Sequence, residues 1–369
     1  MKDTYRFFGA FRLFLAFLVL GQHVHWIVPT AVGEAITSYS TGDIAVLTFF
    51  VLSGFVISEA AECFYKNRPM AFMSNRLLRI LAPFLLAMIV SVLCTALIVA
   101  CGALRVPNTI ANGGIPGPDM FHARSLLANV LFIFPGIDKL AGTPTYLFIP
   151  ITWALRTEMA FYLVFFVALL AGQRLRLQRL DKTLFGVGMV AIATYLLWLK
   201  TGHPQVARYG PYFGLGVALY YCIGGRRLAF VLAAVFLGIV LYDFSIYGVP
   251  PGANRLAMTR IAVQYALLVA CIGAVPLLAL LEGSKRARRI DAYLGRLSYP
   301  FYLNHYTVIV ILYSLLARSS VSAMFAAAAI ALASAVIADR IVEPLMVPVR
   351  DRFRGRSLVE QRAEVETPA

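Results

Sequence analysis

The sequence predicts an all-α, polytopic integral membrane protein of about ten transmembrane helices, with its N- and C-termini both cytoplasmic. Hydrophobic residues make up 60% of the chain and charged ones only 14%, with a mean hydropathy of +0.77, far from a soluble domain's balance. Apolar runs of roughly 17 to 25 residues recur along it, each long enough to cross a lipid bilayer. The basic residues flank these runs instead of forming one patch. A formal charge of +15 therefore reads as membrane topology, and no nucleic-acid partner is expected.

The runs lie near 8–29, 43–63, 80–103, 150–172, 184–200, 208–224, 228–243, 259–281, 298–317 and 320–342. The first has no small-residue cleavage site after Trp26 and reads as a retained span. An even number of spans returns the chain to its starting side. With the N-terminus cytoplasmic, 23 of the 33 Lys and Arg fall on the cytoplasmic side and 8 on the other, leaving Arg12 and Arg156 within spans. Residues 1–345 form the membrane domain, with 104–149 as a long extracytoplasmic loop. Its apolar stretch at 125–134 reads either as a helix roofing a cavity or as a solvated connector. Glu343-Pro344 is expected to stop the last helix. That leaves 346–369 as a disordered cytoplasmic tail, first basic and then acidic. Cys63, Cys94, Cys101, Cys222 and Cys271 form no CxxC or Cys/His cluster, so buried small hydrophobes are expected and no metal.

Polar residues inside the spans point to function, because charge is costly there. Arg12 and His23 stand eleven residues apart, on one helix face and about 16 Å apart along the axis. Counting residues into each span puts His23 about 8 Å below the outer face and Arg12 about 6 Å above the inner one. Arg156 and Glu158 fall roughly 9 to 12 Å below the outer face, so His23 and Glu158 could serve as a base and its orienting carboxylate. A bundle-holding ion pair is the plainer reading of Arg156 and Glu158. Ser53-Gly54 lies near the midplane and reads as a close-packing pair. Arg76 and Arg79, one turn apart at an inner helix start, suit phosphates or serve only as topology signals. His305, beside Tyr302 and Asn304, is either structural or a participant in binding or proton transfer. His25 with Trp26 reads as an interfacial anchor.

Six segments occur in one order from about residue 5 to 345. They are Gly9-x-x-Arg12 with its histidine eleven residues on, FFVLSGFVI (49–57), Arg76/Arg79 before a proline, WALRTEMAFYL (153–163), LGRLSYPFYLNH (294–305) and IVEPL with Glu343. Together they resemble the acyltransferase-3 family of integral membrane O-acyltransferases. The resemblance implies transfer of an acyl group, most simply acetyl, from cytoplasmic acetyl-CoA or another acyl-CoA. The acceptor would be a hydroxyl of an extracytoplasmic glycan or lipid-linked saccharide. The setting would be the inner membrane of a bacterium, in contact with the lipid bilayer, and a homo-oligomer stays open. The resemblance makes Arg12 and His23 the catalytic pair and puts Arg76 and Arg79 on the CoA side; the depth reading adds Glu158 as orienter, and Ser53 and His305 are taken with the donor-binding residues. Trp153, Arg156 and Asp43 become acceptor-side candidates. The chain departs from the family at Leu47-Thr48, where an acidic residue is common, and at Asn304, where a tryptophan is. The competing class is a proton-coupled exporter of a polar solute, which buried His, Arg and Glu would also suit. No internal repeat supports it.

Overall fold

The computed structural model describes residues 6–354 apart from 66–67, 109–111, 115, 138–139, 141, 143, 175–179, 203–204, 249–254 and 317. For 172–174, 180–187, 247–248, 255–257 and 350–354 it describes the backbone alone. The described residues contain no β-strand. In chain order the helices are α1 (Gly9–His23), α2 (Thr30–Thr37), α3 (Thr41–Glu59), α4 (Pro69–Ala100) and α5 (Ala123–Leu131). There follow α6 (Thr152–Arg174), α7 (Leu180–Thr201), α8 (Gln205–Arg208) and α9 (Gly210–Ile223). The last four are α10 (Arg227–Gly248), α11 (Arg255–Leu280), α12 (Lys285–Leu315) and α13 (Val321–Arg354). Every apolar run read from the sequence carries one of these helices.

Among the described residues six segments are long and apolar enough to cross a membrane: Thr30–Phe64, Pro69–Ala100, Thr152–Ala171, Arg227–Ile246, Met258–Leu280 and Val321–Val349. The surface explains their composition. On α4, Leu85, Ile89, Leu93 and Leu97 recur every four residues and are all exposed, forming one apolar stripe. On α13, Ile337, Ile341 and Leu345 do the same, and Phe325 is exposed about three turns earlier. Water would penalise such a surface, and lipid accepts it.

The centre is built from α1, α3, α9 and α12, whose side chains face protein. On α3, Ile44, Phe50, Val51, Phe55 and Ile57 are buried, and α12 is buried almost continuously from Leu297 to Val310. Helices α1 and α9 have only 15 and 14 residues, about 22 Å each, and their surroundings compensate for the shortness. One close crossing joins α3 to α9. A Cβ on Gly54 would overlap the carbonyl oxygen of Phe213, and one on Gly216 would overlap that of Val51. The two glycines thus let the backbones touch from both sides, as small residues do in membrane bundles.

Three expectations need correction. Helix α13 does not stop at Glu343-Pro344 but runs to Arg354 through Pro344 and Pro348. Each proline deprives one carbonyl four residues back of its donor, which the helix tolerates there. The expected disordered tail therefore begins as helix, and its residues 355–369 lie outside the described ones. The cysteines are free, as expected, but Cys63 and Cys101 are exposed and only Cys271 is buried. Their apolar segments present one face outward, so membership in such a segment does not mean burial.

The 104–149 loop folds back on the bundle. Asn129 of α5 donates to the Tyr146 carbonyl (2.8 Å) and accepts from Phe148 N (3.1 Å). Asn112 exchanges hydrogen bonds with Leu147 and accepts from the Tyr306 hydroxyl at 2.9 Å, tying the loop to α12. Residues 123–131 of the loop are helical and hydrogen-bonded to the rest of it, and no residue of 104–149 lines the cavity described below.

Gly216→Ala should destabilise the purified protein by about 1–3 kcal/mol or more, the range for overpacking. Gly238→Ala, whose methyl would meet nothing within 4 Å, should melt at the wild-type temperature or slightly above. Size-exclusion profiles after stepwise heating in detergent measure both.

Candidate functional site

Helix α1 is positioned first at its N-terminus. Gly9 N donates to Asp291 Oδ2 (2.9 Å) and Ala10 N to Oδ1 (2.8 Å), so a buried carboxylate of α12 satisfies two otherwise orphaned amides. A Cβ on Gly9 would overlap the backbone of Asp291, so only glycine permits this approach. From Gly9 to His23 and from Asp291 to His305 the spacing is the same, 14 residues. Two parallel helices joined at Asp291 therefore stay level for about 21 Å, and the two histidines meet. Their ring centroids are 5.3 Å apart.

Between α1, α3, α4, α6 and α12 lies a cavity of about 140 Å³. It follows α3 from Val46 to Val56, about 15 Å. Phe49, Leu52, Ile80 and Leu155 give it apolar walls, and its polar groups are Arg12, Arg76, Arg79, Ser53, Glu158 and the tyrosines 162, 299 and 302. Three guanidinium groups against one carboxylate make it cationic. Arg12 reaches it without a hydrogen bond or ion pair to protein among the described residues. Arg76 is buried, with its guanidinium over the Phe72 and Tyr162 rings and its Nε lacking a hydrogen-bond partner. A smaller cavity of about 80 Å³ adjoins it, sharing Arg79, Gly295 and Tyr299.

Glu158 accepts from Ser53 Oγ at 3.0 Å and from the Tyr162 hydroxyl one turn on. It belongs with Arg12 and Ser53 at the cavity, and no hydrogen bond joins it to His23 among the described residues. Depth along a helix put these two at one level, but depth says nothing of which face of the bundle a side chain meets. His23 is half-buried, its Nδ1 bonded to the Val19 carbonyl (2.8 Å) and its ring against His305 and Tyr306. Neither histidine lines the cavity; Tyr302, which does, packs against His305.

The acceptor-side candidates stand apart from the cavity. Trp153 is 38% exposed and packs against Phe50 and Tyr209, so Phe50 separates it from the cavity that Phe50 lines. The Arg156 guanidinium lies over the ring of Phe132, the residue that follows α5. Asp43 is exposed in the first turn of α3. The His25 ring lies against that of Trp26, tilted, with centroids 4.1 Å apart.

Sequence reasoning missed Asp291, Tyr162 and Tyr299. Tyr162 stands one turn after Glu158 and was legible on that spacing. Asp291 lies in a basic run, RARRIDAYLGR, and its partners are backbone amides that leave no side-chain signature.

A bundle with an apolar outer surface around a cationic, mostly apolar cavity defines a multi-pass membrane protein. A family model described as "Acyltransferase domain" matches residues 5–340, and the chain belongs to that acyltransferase-3 family. Acyltransferase MdmB of Streptomyces mycarofaciens is 25% identical over 321 residues, which cover 81% of this chain and 77% of the relative. No solved structure matches. The protein is a membrane acyltransferase, and no group of three or more metal-ligating side chains occurs among the described residues.

Asp291→Ala should cost about 1–2 kcal/mol of stability, the usual loss of a helix cap, and Asp291→Asn less, because its amide oxygen still accepts one bond. Thermal melting in detergent, with the wild type alongside, ranks the three.

Proposed function

We propose that the protein transfers a short acyl group, acetyl in the simplest case, from cytoplasmic acyl-CoA to a hydroxyl of an extracytoplasmic glycan or glycolipid. The cationic cavity carries this reading. Three arginines in an apolar setting suit the phosphates of CoA, since charge-assisted bonds strengthen where water is sparse. The narrow apolar stretch along α3 suits a thin acyl-bearing arm, and its small volume favours a short acyl group. With about ten spans and both termini cytoplasmic, as 23 basic residues against 8 favour, the Arg76/Arg79 end faces the donor.

On this reading Arg76 and Arg79 hold the phosphates, with the nucleotide directed towards the adjoining cavity that shares Arg79. The arm threads past Ser53 towards Tyr302. Ser53 and Tyr162 hold the Glu158 carboxylate in the wall, where it offsets part of the arginine charge. Arg12, lacking a hydrogen-bonded protein partner, lies on the donor side with Arg76 and Arg79 and adds a third cation to the phosphate-binding end. His23 keeps its Nδ1–H on Val19 and so presents Nε2 as a base to the acceptor hydroxyl. The hydroxyl proton passes to Nε2 as the oxygen bonds to the thioester carbon. The C–S bond then breaks, and the sulfur leaves as the thiol with that proton. Trp153 and Asp43 are suited to contact the acceptor outside the aromatic wall, with Arg156 beside them.

His23→Ala should abolish acyl transfer from radiolabelled acetyl-CoA while the protein still reaches the membrane; full activity in that variant refutes the base. Arg76→Ala and Arg79→Ala should each raise the Kd for acetyl-CoA roughly tenfold or more, the weight of one charged hydrogen bond. Isothermal titration in detergent measures it, and unchanged binding would return the pair to topology signals. Mass analysis of surface glycans with and without the gene should show one acyl mass lost.

A further inference from the structure

His305 is fully buried, and its Nδ1 lies 2.6 Å from the Tyr302 carbonyl. That contact requires the proton on Nδ1, so Nε2 carries a bare lone pair, and this buried atom has no hydrogen-bond partner. His23 is held the same way, Nδ1–H on its own helix's carbonyl with Nε2 bare. An unpartnered buried acceptor is uncommon and calls for a reason. The centroid separation of 5.3 Å supplies one. One N–H···N bond of about 3 Å, plus about 1.1 Å from each nitrogen to its ring centre, spans that distance. In the resting state both nitrogens are acceptors and no bond can form. It can form once either ring gains a proton.

We propose that His305 is a positioning residue that receives the Nε2–H of His23 while His23 holds the proton taken from the acceptor hydroxyl. The inference rests on His23 acting as the base. In the reaction the hydroxyl proton moves to His23 Nε2 as its oxygen bonds to the thioester carbon. Once bonded, that oxygen is a poor acceptor, and the new N–H turns to His305 Nε2. The C–S bond breaks, the sulfur takes the proton from His23, and both imidazoles return to their resting tautomers. The bond exists only while His23 is charged, so it stabilises the reacting state and not the substrate complex. Tyr306 flanks the His23 ring edge-on, 5.7 Å between centroids, and limits its alternative orientations.

Two substitutions separate the nitrogens. His305→Asn keeps a donor for the Tyr302 carbonyl and removes the acceptor at Nε2; His305→Gln places an amide near the Nε2 position and gives up the Tyr302 bond. We expect kcat to fall roughly ten- to hundredfold in His305→Asn, the scale of a hydrogen bond to a charged group, with KM for acetyl-CoA unchanged. His305→Gln should lie well above it. A purely structural histidine gives the reverse order, Asn above Gln, and that result overturns the inference, as does wild-type kcat in His305→Asn. An active His23→Ala variant overturns the base reading instead. Should neither His305 variant fold, ¹⁵N spectra of histidine-labelled wild type decide: a protonated Nε2 on His305 overturns the proposal, and a bare one sustains it.

Discussion

The carboxylate of Asp291 on the first amides of α1 is the contact on which the site depends. It joins the first helix to the penultimate one, across 282 residues of sequence. A charged group buried in a membrane bundle is tolerated only where its acceptors are filled, and here both oxygens are filled by backbone amides. The clamp also fixes register. With equal spacing from clamp to histidine on two parallel helices, a slip of one residue would rotate Arg12 about 100° away from the cavity and part the two imidazoles. Gly9 makes the contact geometrically available, which gives the Gly9-x-x-Arg12 spacing a physical reason.

Polar groups enter this apolar centre as a set with compensations built in. Arg76 is covered by aromatic faces, Glu158 is held by two hydroxyls, and both histidines satisfy one nitrogen on their own helices. At the site, among the described residues, Arg12, Arg76 Nε and His305 Nε2 have no hydrogen-bonded protein partner. Those are the atoms the proposed chemistry uses. A second polar cluster, Asp243 with Arg208, Tyr195 and Tyr212, is satisfied by itself and holds α7 to α10 together.

The helical layout was legible because hydrocarbon thickness imposes a length on every apolar run, and each run became a helix. The ends were less so. Proline chemistry suggested a stop at Glu343, but a helix flanked by lipid and protein can absorb the lost bonds and continue. For the site, residue type identified Arg12, Arg76, Arg79, Ser53 and Glu158, which the fold gathers around one cavity. Partnerships were not legible. The periodicity of one helix gives depth, while which neighbour a side chain meets depends on crossings such as that of Gly54 and Gly216. His23 therefore meets His305, not Glu158. Likewise Arg156 meets Phe132 because the 104–149 loop packs back on the bundle there, and nothing in the WALRTEMAFYL segment encodes the loop's path.

The layer formed by Phe49, Phe50 and Tyr302 has an electrical consequence. On the reading proposed above, an aqueous donor enters from one face and a hydroxylated acceptor from the other, so polar groups come close to forming a continuous column through the bilayer. A wetted column of that kind would conduct ions and dissipate the membrane potential. Phe49, Phe50 and Tyr302 line the cavity, and on that reading aromatic side chains along the path keep water from filling it. The protein can then leave both faces accessible at once, without the alternating opening a transporter needs, because only the acyl group and the reacting atoms must meet across the seal. Keeping the membrane insulated thus becomes a requirement on the same residues that shape the cavity, independent of how fast the chemistry runs.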